Sequence, residues 1–130
     1  MNLYLLDAGG AGLAYLFIGV FIVFMILCVL IEAGIMLAMK YNRVFKKTFR
    51  DSLLVNLASV AFGFILIRYV SSFFGSYEPV NMLVLYAISV AVEFGVLYLL
   101  NKTHPPGKTF LVSAVMNIPS YILLYLNGNN

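Results

Sequence analysis

Apolar residues fall in four long blocks, at positions 11–39, 52–74, 80–100 and 110–126, divided by short polar segments. A membrane-crossing helix needs about 20 predominantly apolar residues at a rise of about 1.5 Å each, so each block predicts one span. The first block exceeds that length and predicts a helix that tilts or runs on beyond the lipid. The fourth is the shortest and contains Pro119. That proline removes the helical partner of the Val115 carbonyl and predicts a kink beside Asn117. The expected fold class is an all-α membrane protein of four transmembrane helices, a single membrane domain over residues 1–130.

Composition sharpens this. The chain is 63% hydrophobic and 10% charged, against about 25% charged in soluble domains. A soluble fold could not cover so apolar a surface, whereas lipid could. Positions 1–10 hold no Lys or Arg and one acid, Asp7. The apolar run that follows outlasts a signal-peptide core, so a retained first helix is expected rather than a cleaved leader. The one cysteine, Cys28, lies within the first block. No base stands near it to make a catalytic thiol, so buried packing is its expected role.

Charge placement predicts orientation. Lys40, Arg43, Lys46, Lys47 and Arg50 separate blocks one and two, and Lys102 and Lys108 separate blocks three and four. On the other side stand Asp7, Glu78 and a single cation, Arg68. By the positive-inside rule both basic loops are expected in the cytoplasm and both termini outside it, in the plasma (inner) membrane. The basic loops then serve as an orientation signal and a contact for anionic lipid. Arg68 is expected to snorkel to the outer headgroups, with an ion pair to Glu78 or Asp7, or a lipid phosphate, as alternatives. Tyr4, Tyr69, Tyr77 and Tyr125 suit the outer aromatic belt, and Tyr41 and Phe45 the inner one. Positions 127–130 read as a frayed polar tail.

The chain also matches itself. Glu32, Gly34, Lys47, Thr48, Phe49, Ser52, Asn56 and Ser59 recur as Glu93, Gly95, Lys108, Thr109, Phe110, Ser113, Asn117 and Ser120, always 61 positions on and without a gap. Chance readily aligns Leu with Ile, but not two Glu, two Asn and two Lys-Thr-Phe triplets at one offset. The pattern predicts a tandem duplication of a helical hairpin, with unit one at about 11–74 and unit two at about 80–126. Each unit has an even number of spans, so both copies insert the same way up, as parallel repeats about an axis along the membrane normal.

The repeated polar residues define the candidate site: Glu32, Asn56, Ser59, Glu93, Asn117 and Ser120. Glu32 precedes Lys40 by eight positions, about 12 Å of helix, and Asn56 follows Arg50 by about 9 Å. Each hairpin can thus bring its Glu and Asn to one level in the cytoplasmic half of the bilayer. Ser52, Asn56 and Ser59 share one helical face, as do Ser113, Asn117 and Ser120. Gly34, Gly63 and Gly95 are candidates for close helix approach. A carboxyl at mid-bilayer costs about 2.5–3.5 kcal/mol on insertion scales and is usually turned inward. When protonated, such a Glu donates to an Asn carbonyl while the Asn amide donates back. The layer could be interhelical glue, a path for protons, cations or a small polar solute, or a pocket for a lipid headgroup or partner.

With Glu32 paired to the Asn56-Leu57-Ala58-Ser59 element, and Glu93 to Asn117-Ile118-Pro119-Ser120, about three quarters of the chain resembles a loose group of small prokaryotic four-span membrane proteins. They carry a Glu near the inner end of helices one and three and an Asn-x-x-Ser/Thr element in helices two and four. The resemblance implies the duplicated fold and no particular activity; only one copy here has proline after its Asn.

Enzyme chemistry is not expected. The sole histidine, His104, sits in a Pro-rich turn, and no ligand set for a metal or cofactor accompanies it. Nucleic acid is not an expected partner, since the basic residues are interspersed with Phe45, Phe49 and Asp51. Two roles remain. The expected one is a non-enzymatic accessory or assembly subunit packed against other membrane-protein subunits, which the short loops and Gly-bearing helix faces suit. The other is an oligomeric channel or proton- or cation-coupled transporter using Glu32 and Glu93. Membrane lipids are partners in both.

Overall fold

The computed structural model describes residues 3–70 and 79–128. They form four helices: α1 (Leu3–Ala38), α2 (Phe45–Val70), α3 (Pro79–Leu100) and α4 (Pro106–Gly128). Three stretches are long and apolar enough to cross a membrane: Gly12–Ala38, Phe45–Leu66 and Val80–Leu100. Their outward side chains, such as Phe17, Ile22, Phe64, Leu83 and Leu99, are large, apolar and exposed. In water such a surface would aggregate, so the chain is a helical membrane protein. α4 is more polar, because Lys108, Asn117, Pro119 and Ser120 fall within it.

The helices extend past the apolar blocks at most ends. α2 starts at Phe45, seven positions before its apolar block, and α4 starts at Pro106. Apolar runs mark where lipid is met, whereas the backbone keeps its hydrogen bonds into the polar zone. Thr48 and Thr109 show how. Each is fully buried in a first helical turn, and each hydroxyl bonds the carbonyl four residues back, Val44 at 3.0 Å and Pro105 at 3.3 Å. Pro106 stands at the first helical position, where its missing N–H costs nothing. At the far end α4 runs unbroken through Pro119 to Gly128, so Asn127 and Gly128 are helical rather than part of a frayed tail.

α1 ends in a Schellman turn made without glycine. Lys40 takes φ 52°, its N–H bonds the Leu37 carbonyl at 2.9 Å, and the Tyr41 N–H bonds the Met36 carbonyl at 2.9 Å. Tyr41 is thereby driven inward. It is 1% exposed, its hydroxyl lies 3.0 Å from that of Thr109, and its ring packs against His104 at a tilt of 31° with centroids 4.3 Å apart. The expectation that Tyr41 lies in an interfacial belt is corrected by this turn, while Phe45 is exposed. Tyr4, Tyr69, Tyr77, Asp7 and Glu78 lie outside the described side chains.

The helices pack as a ring: α1 on α2, α2 on α3, α3 on α4 and α4 on α1. Among the described residues neither diagonal pair brings Cα atoms within 8 Å, so the middle of the ring is filled by side chains or left open. Near the end that carries the two basic connections it is filled. Met36, Tyr41, Val55, Leu97, Val112 and Met116 form a fully buried core there. Away from that end the packing loosens, and every residue from position 12 to position 24 of α1 is exposed.

A lysine in the left-handed region costs about 1–2 kcal/mol that glycine avoids. Lys40→Gly is therefore expected to stabilise the protein by about 1 kcal/mol, read as a higher unfolding temperature in detergent. An unchanged or lower temperature would contradict this account of the turn.

Candidate functional site

The repeated polar residues meet in the middle of the ring, one turn beyond the core. Glu32 is 1% exposed; one carboxylate oxygen, Oε2, accepts from the Ser52 hydroxyl at 2.8 Å and from the Asn56 amide. Glu93 is 2% exposed; its Oε2 accepts from the Asn117 amide and its Oε1 from the Ser59 hydroxyl at 3.0 Å. The second amide hydrogen of each Asn is also spent, on the carbonyl four residues back: Asn56 on Ser52 at 3.0 Å, Asn117 on Ser113 at 2.9 Å. Both amides are thus locked, with their carbonyl oxygens left over.

These bonds tie all four helices together. Glu32 joins α1 to α2 and Glu93 joins α3 to α4, as the matched depths predict. Ser59 crosses from α2 to Glu93 on α3. Ser120 crosses from α4 to α1, where its hydroxyl lies 3.6 Å from the Cys28 sulfur. Cys28 is 6% exposed, in keeping with its expected buried position.

Beside this layer lies a partly open cavity of about 300 Å³. Glu32, Glu93, Asn56, Asn117, Ser59 and Ser120 all line it. Its remaining wall, from Phe24, Phe62, Leu66, Leu85, Val92 and Tyr121, is largely apolar and runs away from the basic end. Ser89 also lines it, its hydroxyl 2.8 Å from that of Tyr121. The two Glu–Asn pairs therefore share one chamber. Among the described residues, no Lys, Arg or His reaches it, and no group of three His, Cys, Asp or Glu is placed to hold a metal ion.

The glycines behave differently from expectation. A Cβ added at Gly34, Gly63 or Gly95 would meet nothing within 4 Å, so no helix of this chain approaches closely at any of them. Gly34 is exposed, and Gly63 lies at the open cavity wall. Within the chain the close-approach role is not met, because these positions do not lie at tight helix crossings.

Sequence reasoning missed a second polar cluster, at the basic end. Asp51 is fully buried at the start of α2. It accepts from Asn101 at 2.9 Å, from Asn42 at 3.2 Å and from Arg50 at 2.8 Å, and Lys47 stands 3.9 Å away. The Lys47 ammonium also donates to Asn42 at 3.0 Å and to Asn101. This cluster ties the α1–α2 connection to the end of α3. Its signal was faint: Asp51 and Lys47 are one helical turn apart, but Asn42 and Asn101 lie in different connections and nothing in their spacing pairs them. Of the basic residues read as lipid-facing, Lys47 and Arg50 are thus engaged within the chain, and Lys108 donates to the Lys40 carbonyl at 3.0 Å. Lys40, Arg43, Lys46 and Lys102 have exposed side chains, as does Arg68.

Compared with family models, with curated proteins and with solved structures, the chain matches none of them.

Two expectations follow. Lys47 and Arg50 are 41% and 59% exposed, so screening weakens their pairing, and the larger loss in Asp51→Ala is the acceptor of one N–H on each of two buried amides, Asn42 and Asn101. The expected destabilisation is about 2 kcal/mol, with Asp51→Asn milder; thermal unfolding of both variants checks it, and equal losses would contradict the hydrogen-bond account. Burial beside Tyr41, and then the charges of Lys108 and Lys47, hold the His104 imidazole below its ordinary range. The folded state therefore favours the neutral ring, and stability falls as pH drops from about 6.5 through the lower folded value. His104→Asn is expected to flatten that part of the stability–pH curve, and a curve of unchanged slope would remove His104 as the cause.

Proposed function

We propose that the chain is a small carrier or channel-type membrane protein, in which the chamber between Glu32 and Glu93 binds and passes protons or a cation. One observation carries this reading: two carboxyls share a membrane-level chamber that no basic side chain of the described residues reaches. An uncompensated carboxylate in a low-dielectric interior is costly, and ionisable groups inside a membrane are neutralised by a partner or by protonation. Here the missing positive charge has to come from a proton or from a solute.

The rest of the reading is built on the sequence. α4 completes the fourth span, Lys108 standing at its basic end. The offset of 61 positions reflects a duplicated hairpin, and the matching roles of Glu32 with Asn56 and Glu93 with Asn117 support it. The likeness to small prokaryotic four-span proteins with a Glu/Asn hairpin unit belongs to the same reading. The basic end faces the cytoplasm and both termini lie outside it, in the inner membrane. The filled core at the basic end and the partly open chamber beyond it suit a carrier closed toward the cytoplasm. Four helices rarely enclose a full path alone, so the working unit is a dimer or larger assembly.

A second reading, an accessory or assembly subunit, is favoured by one observation. Positions 12–24 of α1 are exposed on every side, as a segment completed by another subunit would be. In this reading the Glu–Asn layer is glue, worth about 0.6 kcal/mol per interhelical bond.

Exchange of both carboxyls separates the two. Glu32→Gln/Glu93→Gln keeps an amide oxygen for Asn56 and for Asn117, and the new NH2 at position 93 can donate to the Ser59 hydroxyl, so the bundle is expected to fold. Proton flux in reconstituted vesicles is expected to fall to the level of empty vesicles. Undiminished flux in the double variant would sink the carrier reading, whereas an assembly role survives the exchange.

A further inference from the structure

The chamber is not symmetric, and the asymmetry says what it takes. Ser59 and Ser120 stand 61 positions apart, yet only Ser59 bonds a carboxylate. Ser120 is drawn to Cys28 instead. Glu93 therefore has both oxygens engaged, while Glu32 takes Ser52 and Asn56 on the same oxygen, Oε2. Among the described residues no donor is bonded to Glu32 Oε1, although the residue is 1% exposed and lines the chamber. The carbonyl oxygens of Asn56 and Asn117 are left over in the same way, because both amide hydrogens of each are spent within the chain.

The chamber thus offers spare acceptors and, at these residues, no spare amide donor. One hydroxyl hydrogen of the Ser89–Tyr121 pair is also spare, but an anion would still face two carboxyls, whereas a donor-rich cation would find a carboxylate oxygen and two amide oxygens. The rest of the wall sets the body of that cation. Phe24, Phe62, Leu66, Leu85 and Tyr121 present apolar and aromatic surface beside the polar layer, which suits a hydrocarbon or aryl group and allows cation–π contact with the ammonium. A bare inorganic cation would leave that surface unused and would seek a fuller oxygen shell, of six to eight ligands for calcium.

We propose that the chamber is a binding site for a small organic ammonium ion, a primary amine carrying a compact apolar or aryl group. Its N–H groups lie on Glu32 Oε1 and the Asn56 and Asn117 carbonyl oxygens, and its body lies along the Phe24–Phe62–Tyr121 wall. A volume of about 300 Å³ is at the lower end of small-molecule sites and limits the ligand to roughly the size of a phenylalkylamine. This assignment rests on the chamber being the solute site named above.

The test is isothermal titration of the purified full-length protein with 2-phenylethylammonium chloride, alongside 2-phenylethanol, sodium chloride and potassium chloride. Saturable binding of the ammonium ion alone is expected, weakened at least tenfold in Glu32→Gln. Leu85→Phe, which fills the apolar wall without touching the polar layer, is expected to weaken it as well. No saturable binding, equal binding of the alcohol or of sodium or potassium, or full affinity in Glu32→Gln would overturn the proposal. Flux measured on the same preparation keeps the two ideas apart. Glutamate-dependent proton flux without amine binding leaves the carrier reading standing and removes the amine. Amine binding without flux does the reverse.

Discussion

A carboxylate inside a membrane has to be answered by something, and most of this bundle is arranged around two of them. Glu32 and Glu93 each draw an asparagine amide and a serine hydroxyl from neighbouring helices. In lipid there is no hydrophobic effect to press helices together, so association relies on van der Waals packing and such hydrogen bonds. The four contacts Glu32–Asn56, Ser59–Glu93, Glu93–Asn117 and Ser120–Cys28 run round the ring and touch every helix. The buried core one turn away depends on them for its registration, since Met36, Leu97 and Met116 are held at one level only if their helices are.

The two ends of the bundle are then built on different principles. At the basic end the apolar core is backed by Asp51, Asn42, Asn101 and Lys47, a network in which charge is compensated. In the chamber the carboxyls have amides and hydroxyls but no cation among the described residues. A structural polar network is expected to be electrically closed, because an open one is costly in a low dielectric. The contrast within one small protein is what gives the chamber its functional reading and the Asp51 cluster its structural one.

Much of this was legible in the residues. The four helices follow from the apolar blocks, and the Glu–Asn pairing within each hairpin follows from matched depth and the spacing of four between Ser52 and Asn56. Helix ends were less legible, because hydropathy reports lipid contact while Thr48, Thr109 and Pro106 carry the helix into polar surroundings. The facing of both pairs into one chamber was not readable, since it depends on how the hairpins rotate against each other. Tyr41 looked interfacial by type and position, but a left-handed Lys40 turns it into the core. Asp51 was hidden by its neighbours: a lone acid among five basic residues reads as a mixed surface, and only the fold brings Asn42 and Asn101 to it.

The partnership of each glutamate with its own asparagine bears on how such a chain enters a membrane. The two residues are 24 positions apart in both cases, a separation spanned by one helix–turn–helix. The hydrogen bonds to Glu32 of α1 can therefore form as soon as α2 emerges, without waiting for the second half of the protein. The same holds for α3 once α4 is made. Within the polar layer only the bonds from Ser59 and Ser120 need both hairpins, so insertion and bundle closure are separable steps in biogenesis.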